Sequence, residues 1–223
     1  MRKYAYLAAC SLLYLGTTLC QAGALAERVF GYCTWQSLSG TVSIQYSFDG
    51  VTKTPWVGEF YITDDGYAGL RAQDDSWHEI VHNGRIAEKM AGQKGVSGTA
   101  DTFGPLAAFS RVACITSGAR DSYDIEGENG LALTLTAQDM DFSPLIIVTN
   151  QAGGLASVQA QAFAGAMMDN FTYGSDQGTN YLTGWRVSRS VQSLGETHQM
   201  TVLTQLTNVS VNPNVQDGAW GEP

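Results

Sequence analysis

Basic residues and cysteines are scarce in this chain of 223 residues. Twelve Lys and Arg stand against 21 Asp and Glu, which gives a formal net charge of −9 at pH 7. Nucleic-acid binding depends on a basic patch, so the charge balance argues against it. The chain has only four cysteines and no C-x-x-C pair, which argues against a zinc ribbon. Hydrophobic residues are abundant and make up 44% of the chain. This content argues against a disordered chain.

The N-terminus has the three regions of a secretory signal. Residues 1–3 contain two basic residues, residues 4–19 are largely apolar, and small residues precede Glu27. The sequence predicts a signal peptide over 1–26 that is cleaved after Ala26, with cleavage after Ala24 as the alternative. No other apolar stretch approaches the roughly 18 residues of a membrane-spanning helix. We therefore expect a protein that is secreted, periplasmic or at the cell surface, without a transmembrane segment after cleavage.

The remaining residues are enough for one domain, which we place at 27–211, followed by a flexible tail over 212–223. Two cysteines follow the signal, Cys33 and Cys114. An even number of cysteines in an exported chain favours a disulfide between them, and two buried thiols are the alternative.

Alternating apolar and polar residues dominate the rest of the chain. In residues 41–48 one face carries Val42, Ile44, Tyr46 and Phe48, which is typical of a half-buried strand. Asp49-Gly50 follows, a dipeptide suited to a two-residue hairpin turn. Similar strands are predicted at 59–63, 67–72, 131–136 and 181–187, and at 200–211, where the apolar phase slips as at a β-bulge. This pattern predicts a mainly β fold, an antiparallel sandwich or barrel.

Two segments depart from strict alternation. Residues 145–148 are apolar throughout, which predicts a strand covered on both faces. Residues 155–168 are rich in Ala, Gln and Met, and Leu155 and Val158 would share one helical stripe. We therefore predict one short helix over 155–168.

The segment His78-Glu79-Ile80-Val81-His82 fits the pattern H-E-x-x-H. On a helix, two histidines four residues apart can bind one zinc ion while the Glu acts as general base. Over these five residues the chain resembles gluzincin and metzincin peptidases. The resemblance implies zinc bound by His78 and His82, catalysis by Glu79, and an unidentified third ligand, for which Glu88, Asp101 and His198 are candidates.

The alternative interpretation of this segment is a β-hairpin that turns at Asn83-Gly84. His82 would then pair with Arg85, Val81 with Ile86, and Trp77 with Met90, and Glu79 would stand opposite Glu88. In that case the two imidazoles would lie too far apart for one zinc ion.

A second candidate metal site is a cluster of acidic residues. Its members are Asp121, Asp124, Glu126 and Glu128. Calcium prefers oxygen ligands, so these carboxylates make a calcium site conceivable, although the spacing departs from an EF-hand loop.

These observations favour a non-enzymatic role for the exported protein, one of binding, adhesion or structure. We expect a protein or glycan partner at the cell envelope or outside the cell and no nucleic acid. No cofactor is expected, apart from the zinc or calcium that the two candidate sites would bind. The alternative is a secreted zinc-dependent hydrolase of the peptidase type.

Overall fold

The computed structural model describes residues 24–64, 67–74, 77–82, 85–91, 94–95, 98–99, 123–137, 145–160, 167–193 and 195–213. Within them lie one helix, α1 (Ala24–Phe30), and fifteen strands. The strands are β1 (Ser37–Phe48), β2 (Val51–Thr52), β3 (Trp56–Thr63), β4 (Tyr67–Ala72), β5 (Trp77–His82), β6 (Arg85–Ala91), β7 (Lys94–Gly95), β8 (Gly98–Thr99), β9 (Tyr123–Asn129), β10 (Ala132–Ala137), β11 (Leu145–Thr149), β12 (Leu155–Ala160), β13 (Met167–Asp176), β14 (Thr179–Ser193) and β15 (Glu196–Val211).

All fifteen strands belong to one antiparallel sheet in the order β7-β6-β5-β4-β3-β1-β15-β14-β13-β12-β11-β10-β9, with β2 and β8 pairing beside this path. The centre is formed by the long strands β1, β15 and β14. The predicted fold class, mainly antiparallel β with one short helix, is confirmed. The strands form one continuous sheet, and its buried apolar side chains form one cluster together with those of α1.

We call the face of the sheet that carries this cluster the inner face. Its members alternate along each strand, as Leu38, Val42 and Ile44 do in β1 and Val202 and Leu206 do in β15. Cross-strand pairing places Val42 beside Leu206, so these residues form continuous apolar rows across the sheet. The alternation read from residues 41–48 thus corresponds to one buried and one polar face.

The helix lies before the first strand, which differs from the prediction. Leu25, Ala26, Val29 and Phe30 are buried, and the ring of Phe30 lies 6.4 Å from that of Tyr123. A helix of seven residues is not stable alone in water, so contact with the sheet stabilises it. The predicted cleavage after Ala26 would fall within α1 and remove two of its buried residues, whereas cleavage after Ala24 would keep both.

The predicted helix over 155–168 is wrong for its described part. Residues 155–160 form β12, and β13 begins at Met167, while residues 161–166 lie outside the described residues. Pairing with β11 shifts between Val148–Ser157 and Thr149–Leu155, which leaves Ala156 as an extra residue. This bulge places Leu155 and Val158 on the same face, and their three-residue spacing therefore imitates a helical stripe.

Several local predictions are confirmed in detail. Asp49 and Gly50 have φ values of 48° and 81° between the paired residues Phe48 and Val51, as the predicted hairpin turn requires. The bulge expected in 200–211 occurs where the β1–β15 register shifts near Asn208. A Cβ on Gly40 would lie 2.8 Å from the Thr207 carbonyl oxygen there, so only glycine fits opposite the bulge.

Two other predictions need correction. Exposure in β11 alternates, with Ile147 buried and Val148 exposed, so this strand is not covered on both faces. Asn212, placed in the flexible tail, accepts hydrogen bonds through its side-chain oxygen from the backbone N–H groups of Gln36 (2.7 Å) and Ser37 (3.1 Å). Asn212 is therefore part of the folded domain, and residues 214–223 lie outside the described residues.

Candidate functional site

The H-E-x-x-H segment lies on strand β5, not on a helix. Four residues along the strand separate His78 from His82, which places their Cα atoms about 13 Å apart. The pairing of Glu79 with Leu70 puts the Glu on the inner face, opposite to the face of His78. The helical zinc arrangement does not form here, because it needs the two histidines one helical turn apart and this segment is extended.

The hairpin alternative is correct for the pairs next to its predicted turn, whose residues 83 and 84 lie outside the described residues. His82 pairs with Arg85 and Val81 with Ile86, as expected, but the register then shifts by one residue. Glu79 consequently stands opposite Lys89 rather than Glu88, and Trp77 opposite Ala91 rather than Met90. The bulge thus replaces a pair of like charges by a pair of opposite charges. Ile80 is only 4% exposed, so the hairpin is covered at this position.

None of the proposed third ligands can complete that zinc site among the described residues. His198 lies on β15, which is separated from β5 by β4, β3 and β1, about 19 Å at ordinary strand spacing. Glu88 is opposite Ile80 in the register, and Asp101 lies outside the described residues. In the described ranges, no group of three or more His, Cys, Asp or Glu side chains is placed to hold a metal ion.

The acidic cluster is divided between two faces of β9. Glu128 pairs with Leu133 on the inner face, and its Oε1 accepts a hydrogen bond of 3.3 Å from the backbone N–H of Ala26 in α1. Glu126 is the extra residue of a β-bulge and accepts a hydrogen bond of 2.5 Å from the Thr136 hydroxyl. Asp124 is exposed, and Asp121 lies outside the described residues. The three described carboxylates therefore do not form one oxygen cage.

The structure also places one of the two cysteines of the predicted disulfide and two of the tryptophans. Cys33 is buried beside α1, whereas Cys114 lies outside the described residues, so the disulfide stays a prediction. Aromatic rings on a sheet face could stack on the sugars of a glycan partner, but Trp35 and Trp185 are each buried in the core and are not available for this. Within the described part of the chain, no helix is long and apolar enough to cross a membrane.

The inner face is sealed at one end and open at the other. Along β1 the inner side chains change from fully buried Leu38 to 4% exposed Ile44 and then to 40% exposed Phe48. Val51, paired with Phe48, is 61% exposed. The same trend runs along β15, where Val202 is buried and His198 is half-exposed. The apolar core therefore reaches the solvent at this end.

We call this open end the rim. Its members, which adjoin one another in the register of β2, β1, β15 and β14, are Phe48, Val51, His198, Arg189 and Val191. Met200 lies between Phe48 and Arg189 and is largely buried, so it forms the floor of the rim. The rim thus presents exposed apolar side chains next to one permanent positive charge and one imidazole.

A polar contact fixes the rim across two distant segments. Asp49 Oδ2 lies 2.7 Å from His198 Nδ1, and Asp49 Oδ1 accepts a hydrogen bond of 2.8 Å from the backbone N–H of Gln199. These two hydrogen bonds, first that from His198, hold the pKa of Asp49 below its ordinary value. Glu196 Oε2 stands 4.0 Å from the other ring nitrogen of His198. The turn that carries Phe48 and Val51 is therefore tied to β15.

Sequence reasoning missed the rim although it identified several of its parts. Phe48 was assigned to the apolar face of β1, and His198 was a candidate zinc ligand. A signal was present in the apolar residues Phe48 and Val51 on either side of Asp49-Gly50, because a hairpin tip is normally solvated. The contact between the side chains of Asp49 and His198, which the sequence does not indicate, places this hairpin tip beside the core.

Comparison with known proteins identifies the fold. The sequence matches no protein-family model and no curated protein significantly. A LolA superfamily protein from Nitrosomonas europaea is similar in structure, with a TM-score of 0.64 and 8% identity over 90% of this chain and 97% of that chain. A DUF1329 family protein from Desulfovibrio piger has a TM-score of 0.59 and 13% identity over 88% and 94% of the two chains. The chain has a LolA-like fold.

Proposed function

We propose that this protein is an exported binding or carrier protein that holds a ligand with a long apolar segment on the inner face of its sheet. The observation that carries the proposal is the exposure of Phe48 and Val51 at the rim, in unbroken continuity with the buried core. Exposed apolar side chains in contact with one another are typical of ligand-binding or interaction sites. An apolar chain that covered them would remove this surface from water.

The cellular setting is part of the proposal. The apolar N-terminal segment over 4–19 supports export, and the LolA-like fold is consistent with a binding or carrier role in the periplasm. The H-E-x-x-H segment supports no hydrolytic role in this arrangement, because its histidines lie on a strand about 13 Å apart. The ligand-binding role therefore takes precedence over the peptidase alternative.

The chain offers a matched pair of substitutions to test the proposal. Phe48 and Val57 are exposed to similar extents, 40% and 43%, but Phe48 lies on the inner face and Val57 on the outer face. The probe is the neutral fluorophore N-phenyl-1-naphthylamine, which is displaced by stearic acid from a shared apolar site. We expect saturable binding that Phe48→Ser weakens at least fivefold and Val57→Ser leaves within twofold, because removing apolar contact area weakens only a site that uses it.

Thermal unfolding of each variant monitors the folded fraction, so that loss of binding is not confused with loss of fold. Absence of saturable probe binding to the unmodified protein would overturn the proposal. Equal weakening by both substitutions would also overturn it, because the binding would then not involve the rim.

A further inference from the structure

Thr204 is a polar residue among the apolar residues of the inner face. On β15 the neighbouring inner positions hold Met200, Val202 and Leu206, and Thr204 itself is 1% exposed. Its Oγ1 has no hydrogen-bond partner among the described residues. A buried hydroxyl without a partner is unfavourable, and valine has the same shape without this penalty. The position therefore carries a polar atom where packing alone favours an apolar one.

The surroundings of this hydroxyl connect it to the rim. Thr204 pairs with Ile44 on one side and Trp185 on the other, and Ile44 pairs with Trp56, so that the four residues form one row across the inner face. This row lies four residues from the Phe48–Met200 pair of the rim, about 13 Å along the strands. Thr204, Ile44 and Trp185 are each at most 4% exposed, so a ligand must part the side chains that cover this row. An apolar chain that entered at the rim and did so would meet the Thr204 hydroxyl at that depth.

We propose that Thr204 recognises an oxygen atom carried part-way along the ligand's apolar chain, so that the protein selects oxygenated long-chain compounds over plain hydrocarbon chains. This inference rests on the proposed function, because it requires the chain to lie on the inner face. The hydroxyl can donate to a ligand carbonyl, ether or hydroxyl oxygen and can also accept from a ligand hydroxyl. The preference would arise because a plain chain leaves Thr204 unpaired, whereas an oxygenated chain satisfies it.

The test measures displacement of N-phenyl-1-naphthylamine by stearic acid and by hydroxystearic acids that carry the hydroxyl at different positions. We expect the unmodified protein to bind one mid-chain isomer about two- to tenfold more tightly than stearic acid, the range that one net hydrogen bond supplies. Thr204→Val should abolish this preference and leave the affinity for stearic acid unchanged. Thr204→Ser, which keeps the hydroxyl, should retain the preference.

Thr201→Val is the matched control, since Thr201 lies on the outer face of the same strand, opposite Ser47. It should retain the preference for the mid-chain isomer. Thr204→Ala provides a second variant without the hydroxyl if the valine variant does not fold.

The outcomes separate the two proposals. If stearic acid displaces no probe from the unmodified protein, the proposed function fails. If stearic acid binds but no hydroxystearic isomer is preferred, or if the preference survives Thr204→Val, the binding function stands and the role of Thr204 is refuted.

Discussion

Asp49 and His198 are 149 positions apart in the chain, yet their side chains meet at 2.7 Å beside the open end of the core. Asp49 occupies the first position of a tight turn with φ 48°, and His198 lies near the start of β15. Because the carboxylate also accepts the Gln199 N–H, the turn has a fixed position relative to β15. The proposed entrance to the inner face is thus held by polar contacts at its edge and not by apolar packing alone.

This contact predicts a specific pH dependence of stability. Since the folded-state pKa of Asp49 is lowered, its contribution is fully present above the unfolded-state pKa, about 3.9, and is lost as the pH falls through the lower folded-state value. Asp49→Asn removes this titration but keeps an acceptor for the Gln199 N–H. We expect the stability difference between the unmodified protein and this variant to shrink as the pH falls below about 4.

Urea denaturation at a series of pH values between 3 and 7 measures this difference. An Asp49→Asn difference that stayed constant over the whole range would contradict the prediction.

The second prediction concerns the ion pair between β13 and β14. Arg186 donates two hydrogen bonds of 2.7 Å to the two carboxylate oxygens of Asp169, whose side chain is only 16% exposed. Because this ion pair is bidentate and partly buried, we expect it to contribute more to stability than an ordinary surface ion pair does. We expect a coupling free energy of about 1 kcal/mol in a double-mutant cycle of Asp169→Ala and Arg186→Met, measured by urea unfolding. Additive effects of the two substitutions would show that the pair contributes no net stability.

The third prediction uses two glycines in strands. A Cβ on Gly40 would lie 2.8 Å from the Thr207 carbonyl oxygen and 2.9 Å from that of Asn208, whereas a Cβ on Gly127 would meet no atom within 4 Å. We expect Gly40→Ala to lower the free energy of unfolding by about 2 kcal/mol, because backbone must move to relieve the overlap. Gly127→Ala should be neutral or slightly stabilising. Equal effects of the two substitutions in chemical denaturation would be inconsistent with the bulge opposite Gly40.

The fourth prediction concerns signal processing. Leu25 and Ala26 are buried in the core, and Glu128 accepts a hydrogen bond from the Ala26 N–H. We therefore expect cleavage after Ala24, so that the mature chain begins at Leu25. Its positive α-amino group would then lie on the residue before Ala26, whose backbone N–H Glu128 binds. Intact-mass measurement of protein recovered from the envelope fraction or medium checks this. A chain beginning at Glu27 would contradict the expected cleavage and leave α1 shortened.

The sequence by itself determined the features that depend on residues close together in the chain. Alternation in 41–48 identified the buried face of β1, and Asp49-Gly50 identified the turn, because strand faces and turn conformations are properties of a few consecutive residues. The same reasoning placed a helix at 155–168, because the bulge at Ala156 gives Leu155 and Val158 a helical spacing. It did not predict the helix at Ala24–Phe30, because the apolar residues there resemble the end of a signal segment.

Only the tertiary structure decided which residues meet across the sheet and which of them reach solvent. The extended conformation of β5 separated His78 from His82, and its register with β6 placed Glu79 opposite Lys89. Pairing of β1 with β15 brought His198 to Asp49 and put the hydroxyl of Thr204 beside Ile44. The contacts between β1 and β15 join segments roughly 150 residues apart, and their free energy depends on the packing and pairing of the whole sheet. No local pattern of residues encodes them, which is why the rim emerged only from the fold.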